Sequence, residues 1–366
     1  MIPLVDFKAE YKEIRKDVDI AISRVLGSGW YILGSEVANF EKEIAKYIGV
    51  KYAVGVASGT DALTLAVKSL DLKPKDKVLV PANVYPTIFG VCLSGVQIAL
   101  CDVDPKSLNV TLDTIKKAYT KEVKAILIVH LYGNPVDIDP IRKFARSKNV
   151  YLIEDCAQSL GSKYRGRMVG TFGDVSTFSF YPTKNLGAYG DGGAVLTNNK
   201  KFFERIKLLR MYGEAGRYNS ILLGHNSRLD EFQAAILSSK FNHLDGWKKR
   251  KDILVKLYKK LLKPFPVEIL SQDTKSDTFF HLFVIKTERR DELMKHLANF
   301  GILTGIHYPT PIHLTKTFSF LGYKRGSFPN SEKASDVVLS LPLYPQMKIF
   351  QVKQVVEKIR NFFESK

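Results

Sequence analysis

The chain has 366 residues, 45% hydrophobic and 25% charged, the balance of a soluble globular protein with room for a large domain and a smaller one. Its three cysteines, Cys92, Cys101 and Cys156, form no CxxC pair and no even-numbered framework, which argues against a disulfide-stapled secreted fold and fits a reducing cytoplasm. A formal net charge of +18, from 55 Lys+Arg against 37 Asp+Glu, admits a nucleic acid or a small anionic ligand and by itself identifies neither.

The opening stretch "MIPLVDFKAEYKEIRKDVDI" is charged and amphipathic and lacks the uninterrupted apolar run of a signal peptide. No later stretch approaches the length of a membrane span, so the expected location is the cytoplasm. Two amphipathic patterns before residue 50 are expected to pack against the smaller α+β block that follows residue 263, or against a partner. From about residue 50 to 200, apolar runs alternate with helical patterns. Strands are expected at 51–58, 77–82, 97–104, 123–133 and 150–158, and helices at 59–70 and 86–95. The runs "VKAILIVHLYG" and "VYLIEDCAQ" are nearly all apolar, as strands covered on both faces must be. Two further strands, 175–181 and 192–199, follow each other closely enough for an antiparallel edge or hairpin-like return. This alternation predicts an α/β fold with a mostly parallel sheet between helices.

After residue 200 the texture changes. Residues 226–262 read as one long helical connector with Asn or Ser capping its start. Within it, the lysines of "WKKRKDILVKLYKKLL" (247–262) are expected on the solvated face of an amphipathic helix. Beyond 263 a smaller α+β block follows, with strands at 278–287 and 302–309, a helix at 291–301, and a closing helix after "SLPLYP" (340–345). The expected division is a large domain over 1–240, and a linker helix with a small domain over 241–366.

Three features carry the chemistry. "SGTDAL" (58–63) is a strand-to-helix turn whose small residues let backbone N–H groups approach an anion; a plain turn capped by Ser58 or Thr60 explains it equally well. Asp155, ending the apolar run "YLIEDCAQS", lies where open α/β sheets bind ligands, although it could instead cap the next turn. Gln158 offers a neutral group on the same rim. Lys184 lies in "FSFYPTKNLGAYGDGG" (178–193), where Phe178, Phe180 and Tyr181 would strip its hydration and favour the neutral amine that Schiff-base chemistry needs. An anion cradle, a buried carboxylate and a desolvated lysine are the three parts that pyridoxal 5′-phosphate requires. No GxxxxGK[ST] and no strand-linked GxGxxG is present.

The chain also resembles the DegT/StrS sugar aminotransferases of the fold-type I pyridoxal-phosphate enzymes. The likeness runs through "GWYILGSEVANFEKEIA", "SGTDAL", "VPANVYPT", "VHLYGNPVDID", "IEDCAQSLGSKYRGR", "FSFYPTKNLGAYGDGGAV", "GHNSRLDEFQAAIL", "IHYPTPIH" and "SLPLYP", in that order. It implies a seven-stranded, mostly parallel sheet and a set of roles. Lys184 would join the cofactor as a Schiff base and shuttle a proton, Asp155 would pair with the ring nitrogen, and Gln158 would contact the ring hydroxyl. Gly59, Thr60 and Ser179 would hold the phosphate and Tyr85 would stack on the ring. Asn226 would reach the phosphate of a neighbouring subunit, making a homodimer with shared sites. Arg228, His307 and Tyr308 sit in motifs near the family's substrate entrance. The resemblance implies no metal, no nucleic acid and no membrane. It implies amine transfer, most often from glutamate, to a nucleotide-linked keto-sugar, in making an amino-deoxy sugar for a glycan or glycosylated product. "EDCAQ" with "GAYGDGG" is similar to members acting at C3, pointing to a dTDP-3-keto-6-deoxyhexose; members acting at C4, for instance on a UDP-4-keto-sugar, more often read "EDAAH" and "TTGEGG". A sugar dehydratase of the same family would replace Lys184, and a DNA-binding regulator has only the net charge in its favour.

Overall fold

The computed structural model describes residues 1–364. Two helices open the chain, α1 (Phe7–Ser28) and α2 (Ser35–Ile48). Asp6 caps α1 by accepting from Ala9 N, and Gly29 closes it at φ 62°, the left-handed region that a β-carbon disfavours. The start of α2 has no capping side chain of its own. Its orphan N–H groups on Gly34, Glu36 and Val37 donate instead to the carboxylate of distant Glu231, at 2.8, 2.9 and 3.0 Å.

The centre of the molecule is then laid down by β1 (Tyr52–Val56), α3 (Gly59–Ser69), β2 (Lys77–Pro81), α4 (Tyr85–Cys92), β3 (Gln97–Cys101), α5 (Leu112–Ala118), β4 (Val123–Val129), α6 (Ile138–Lys148) and β5 (Tyr151–Asp155). A short hairpin follows, β6 (Lys163–Tyr164) and β7 (Arg167–Met168), and then β8 (Val175–Ser179) and β9 (Gly193–Thr197). Seven strands form one sheet in the order β1-β9-β8-β5-β4-β2-β3. Strands β3, β2, β4, β5 and β8 run parallel, and β9 runs antiparallel to both β8 and β1. The α/β class and mostly parallel sheet are as expected. The antiparallel return is also found, but β9 lies inside the sheet rather than at its edge, which is why all five of its residues are buried.

The rest of the chain comprises α7 (Lys200–Leu209), β10 (Glu214–Gly216), β11 (Asn219–Ser220), α8 (Glu231–Phe241), α9 (Leu244–Leu262), β12 (Glu268–Ile269), β13 (Ser276–Asp277), β14 (Phe283–Lys286), α10 (Arg290–Asn299), α11 (Pro329–Val337), β15 (Val338–Leu341) and α12 (Ile349–Glu364). Three expectations need correction here. The connector is two helices broken at residues 242–243, and its first begins at Glu231, because Asn226 bridges Met211 and Ser227 bonds Asp61 instead of capping. Residues 302–309 form isolated bridges, Ile302 to Ile2 and Gly305 to Ser340, and no strand. Lys251 of α9 points inward and is buried, although its neighbours in the basic run are mostly solvated.

Two large hydrophobic cores result, with a small third cluster of Ala21, Val25 and Ala235 between α1 and α8. The larger packs helices on both faces of the sheet and extends to Trp247, Phe279 and Leu282. The second gathers Ile2, Tyr258, Phe283, Leu293, Leu339 and Val355, among others, around β14 and β15. Among the described residues no helix is long and apolar enough to cross a membrane.

Candidate active site

In a parallel sheet the loops leaving the C-terminal strand ends form one rim, and ligands bind there. Here those ends meet at a cavity of about 320 Å³. Ser58, Gly59 and Thr60 reach it after β1, Thr87 after β2, Asp155 and Gln158 from β5, and Ser179 from β8. Lys184 follows in the next turn, and His281, His307 and Tyr308 close the cavity from the C-terminal part of the chain.

The turn at residue 58 is the capped turn that one of its two readings expected. Ser58 caps α3, its Oγ accepting from Asp61 N at 3.0 Å. Gly59 and Thr60, the first residues of the helix, border the cavity at the positive end of its dipole. A β-carbon on Gly59 would stand 2.6 Å from Ser179 Cβ, so only glycine lets these two backbones approach.

Asp155 is 2% exposed. Its Oδ1 accepts from Ala157 N at 3.0 Å, the turn-capping bond foreseen as an alternative, and its Oδ2 accepts from Thr87 Oγ1 at 2.8 Å. Burial pushes its pKa upward, while these two bonds and the Lys184 charge oppose the shift. Burial of Lys184, partly offset by Asp155, lowers the lysine to about 8. The lysine is only partly covered, because it borders the cavity, yet protein surrounds that cavity closely enough to cost the ammonium its hydration. The source of this desolvation differs from the expectation. Phe178 and Phe180 are buried in the core, Phe180 edge-on to Phe40, and Tyr181 is 53% exposed.

The C-terminal wall hangs on Tyr132, a residue at φ 58°. Its N–H donates to Gln158 Oε1 at 2.7 Å, its carbonyl accepts from His281 N at 2.9 Å, and its hydroxyl donates to the His307 carbonyl. Gln158 Nε2 in turn donates to the Tyr308 hydroxyl at 3.2 Å. His307 Nδ1 lies 2.9 Å from Ser340 Oγ, and burial followed by the nearby Lys184 charge lowers its pKa to about 4. Burial, then the Asp155 charge, holds the Tyr308 phenol above its ordinary value.

The cavity therefore gathers Gly59, Thr60, Asp155, Gln158, Ser179, Lys184, His307 and Tyr308. Three other expected residues do not line it. Tyr85 is 41% exposed at the start of α4, with its ring 6.2 Å from that of Tyr308. Asn226 is exposed on an extended segment, and Arg228 reaches only Met211 Sδ, at 3.8 Å. Sequence reasoning missed Thr87, Tyr132 and His281. Thr87 lies in "VPANVYPT" and His281 in a strand-like apolar run, and nothing local marks either as facing a cavity.

One cluster beside the site has the composition of a metal centre. His130, Glu154 and Cys156 are buried, with their potential ligand atoms within 4.8 Å of one another. Their hydrogen bonds use that capacity otherwise. His130 Nδ1 accepts from Val136 N at 3.0 Å, so its Nε2 donates to Glu154, 3.2 Å away. The Glu154 oxygens also accept from Gly170, Phe172 and Gly173 N–H at 2.8, 2.7 and 2.6 Å. Burial raises the Cys156 thiol well above its ordinary pKa. The cluster braces the turn before β8.

Comparison with known proteins gives the same picture. The dTDP-3-amino-3,4,6-trideoxy-alpha-D-glucose transaminase of Streptomyces venezuelae is 42% identical over 368 residues, covering 99% of this chain and 96% of the relative. The dTDP-3-amino-3,6-dideoxy-alpha-D-galactopyranose transaminase of Aneurinibacillus thermoaerophilus is 42% identical over 364 residues, covering 99% of both. The crystal structure of DesV from S. venezuelae in complex with a ketimine intermediate superposes with a TM-score of 0.96 at 41% identity, covering 99% of this chain and 98% of that one. A Bacillus subtilis structure with the cofactor bound as pyridoxamine phosphate, 29% identical and covering 99% of this chain and 83% of that one, gives a TM-score of 0.89. Residues 12–360 match the model of the DegT/DnrJ/EryC1/StrS aminotransferase family, and the chain belongs to that family of pyridoxal-phosphate-dependent enzymes.

Proposed function

We propose that the chain transfers an amino group from glutamate to the 3-keto position of a dTDP-linked 6-deoxyhexose, in the cytoplasm, as one half of a homodimer with shared sites. The observation that carries this reading is a desolvated Lys184 amine sharing a 320 Å³ cavity with the buried carboxylate of Asp155. The two relatives named above supply the sugar. The products for which both are named carry dTDP and a 3-amino group and lack the 6-hydroxyl, and they differ at C4. The product would serve an amino-deoxy sugar for a glycan or glycosylated compound.

The residues present fit pyridoxal phosphate. The glycine at 59 leaves room for an anion at the N-terminus of α3, with Thr60 and Ser179 as further donors. Asp155, fixed by Thr87 and Ala157, would hold a proton on the ring nitrogen, and Gln158 would meet the ring hydroxyl. When bound, the cofactor supplies an aldehyde for amine exchange and an electron-withdrawing ring. Lys184 would anchor it and, once displaced by the incoming amine, take the proton from the substrate α-carbon and return it. An amine held at about 8 is poised for both directions near neutral pH. His307 and Tyr308 stand at the cavity wall, where the sugar would enter.

Two observations support the dimer. Among the described residues, Lys184 is the one lysine or arginine lining the cavity, whereas a cofactor phosphate and a nucleotide diphosphate need several cationic or amide partners. Asn226 and Arg228 lie outside this chain's own cavity, on a surface that also exposes Tyr218 and Leu223 by more than four-fifths. A second copy would bring such groups to the cavity and cover that apolar surface.

The test is spectroscopic. The purified protein should show the visible band of lysine-bound cofactor, glutamate should bleach it, and a dTDP-3-keto-6-deoxyhexose should restore it. Protein that stays colourless when supplied with the cofactor would sink the assignment. Colour restored by 4-keto-sugars but not 3-keto-sugars would overturn the regiochemistry.

A further inference from the structure

His281 has no place in the roles above, yet its position is unusual. It is 7% exposed, lines the same cavity as Lys184, and its Nδ1 is buried without a hydrogen-bond partner. A buried imidazole nitrogen left unpaired is costly, and this one belongs to a residue bordering the cavity that also holds Lys184. Lys184 is the matching case. Among the described residues its amine makes no hydrogen bond or ion pair, although it borders the cavity closely enough to be desolvated.

The segment bearing His281 is held from three directions. Its N–H donates to the Tyr132 carbonyl, and the carbonyl of nearby Phe279 accepts from Asn185 Nδ2 at 2.9 Å, beside Lys184 itself. Behind them the buried Nζ of Lys251 donates to Asn185 Oδ1 at 3.1 Å and to the His281 carbonyl at 3.4 Å. Asn185 and His281 are thus fixed to one frame, and the Lys184 turn is fixed with them.

The geometry points to His281 as a positioning residue for Lys184: its imidazole accepts a hydrogen bond from the lysine amine whenever that amine is released from the cofactor. This inference rests on the assignment of Lys184 above. The charged and titratable groups facing the imidazole are Lys184, Lys251 and His307. Burial and these neighbours hold His281 far below its ordinary pKa, so it stays neutral and keeps a lone pair to offer. A free lysine side chain has many rotamers, and one that must take a proton from a fixed carbon gains rate by being held.

The test compares wild-type holoenzyme with His281→Phe, which keeps a ring but no acceptor, and His281→Asn, which keeps an acceptor. With glutamate, kcat should fall roughly ten- to a hundredfold in the phenylalanine variant with KM nearly unchanged, and α-deuterated glutamate should show an enlarged isotope effect. The asparagine variant should recover part of the loss. A second readout is independent of turnover: in the pyridoxamine-loaded protein, the pH midpoint for labelling free Lys184 with an amine reagent. An acceptor stabilises the ammonium more than the amine, so His281→Phe should lower that midpoint. If the ring does not fit, His281→Leu takes its place. A wild-type midpoint with wild-type kcat would overturn the inference. A raised KM for either substrate with unchanged kcat would also overturn it, by making His281 a substrate contact. Failure of the underlying reading shows separately, as normal turnover in Lys184→Ala.

Discussion

At the scale of single residues, Asp155 and Lys184 show how burial sets chemistry. Desolvation pushes them in opposite directions, the carboxyl upward and the amine downward, and each moderates the other. Asp155→Ala should cut turnover at least a hundredfold while the fold persists, because an unprotonated ring is a poor electron sink; steady-state rates and circular dichroism check this. The lysine also bears on stability. Its folded pKa, about 8, lies below the 10.5 of an ordinary lysine, so between those values the unfolded chain binds more protons. Stability therefore rises with pH across that window, and the penalty is fully present below it. Apoprotein carrying Lys184→Met should melt above the wild type at pH 7, and the gap should close as pH approaches 10. On the acid side the sign is the same for His281, held below its ordinary value, and for His307, lowered to about 4. Both oppose folding as pH falls below about 6.5, the ordinary histidine pKa.

At the scale of elements, helix α8 is the piece that joins distant parts. Glu231 at its start caps α2, Gln233 accepts from Tyr189 N at 2.9 Å, and Lys240 donates to the Gly187 carbonyl at 2.7 Å and to Glu10 at 2.6 Å. One helix thus ties the N-terminal helices to the glycine turn that follows Lys184. Glu231→Ala should remove about 2–4 kcal/mol, read as a lower denaturation midpoint, since three N–H groups lose a charged acceptor together. The sequence shows part of this. The strands β1 to β5, β8 and β9 were legible because buried runs of β-branched residues fit few other structures, and α3 was legible from its small, cappable start. The break between α8 and α9 was not, because Asn242 stays in a helical conformation and leaves no glycine or proline to mark it. Lys251 was misread for a related reason: helical spacing does not distinguish a solvated lysine from one turned inward to an asparagine.

At the scale of the whole molecule, the sites of two copies are expected to depend on each other. Mixing Lys184→Ala with Asn226→Ala subunits should restore activity, since each hybrid carries one site with both residues intact. Random pairing makes roughly a quarter of wild-type activity the ceiling. Hybrids that form but stay inactive would count against shared sites. The centre of the site was readable in the sequence because Asp155 and Lys184 follow strands whose ends must converge. The C-terminal wall was not readable in the same way. Tyr132, His281 and His307 meet through backbone groups, and a carbonyl or N–H leaves no mark in a residue's identity.

The interior place of β9 bears on how the protein is made. The turn at residue 58 and the lysine turn face each other only after β9 has entered between β1 and β8, where a β-carbon on Gly193 would stand 2.3 Å from the Ser58 carbonyl oxygen. That closure joins positions 58 and 193, separated by much of the large sheet's sequence. Its loop entropy must be met before any contact rewards it, which makes it a slow event relative to helix formation. In refolding, helical signal should return well before the protein can capture its cofactor. On the ribosome, a chain whose residues from Gly193 onward are still inside the exit tunnel would carry the lysine and the carboxylate yet have no pocket in which to use them.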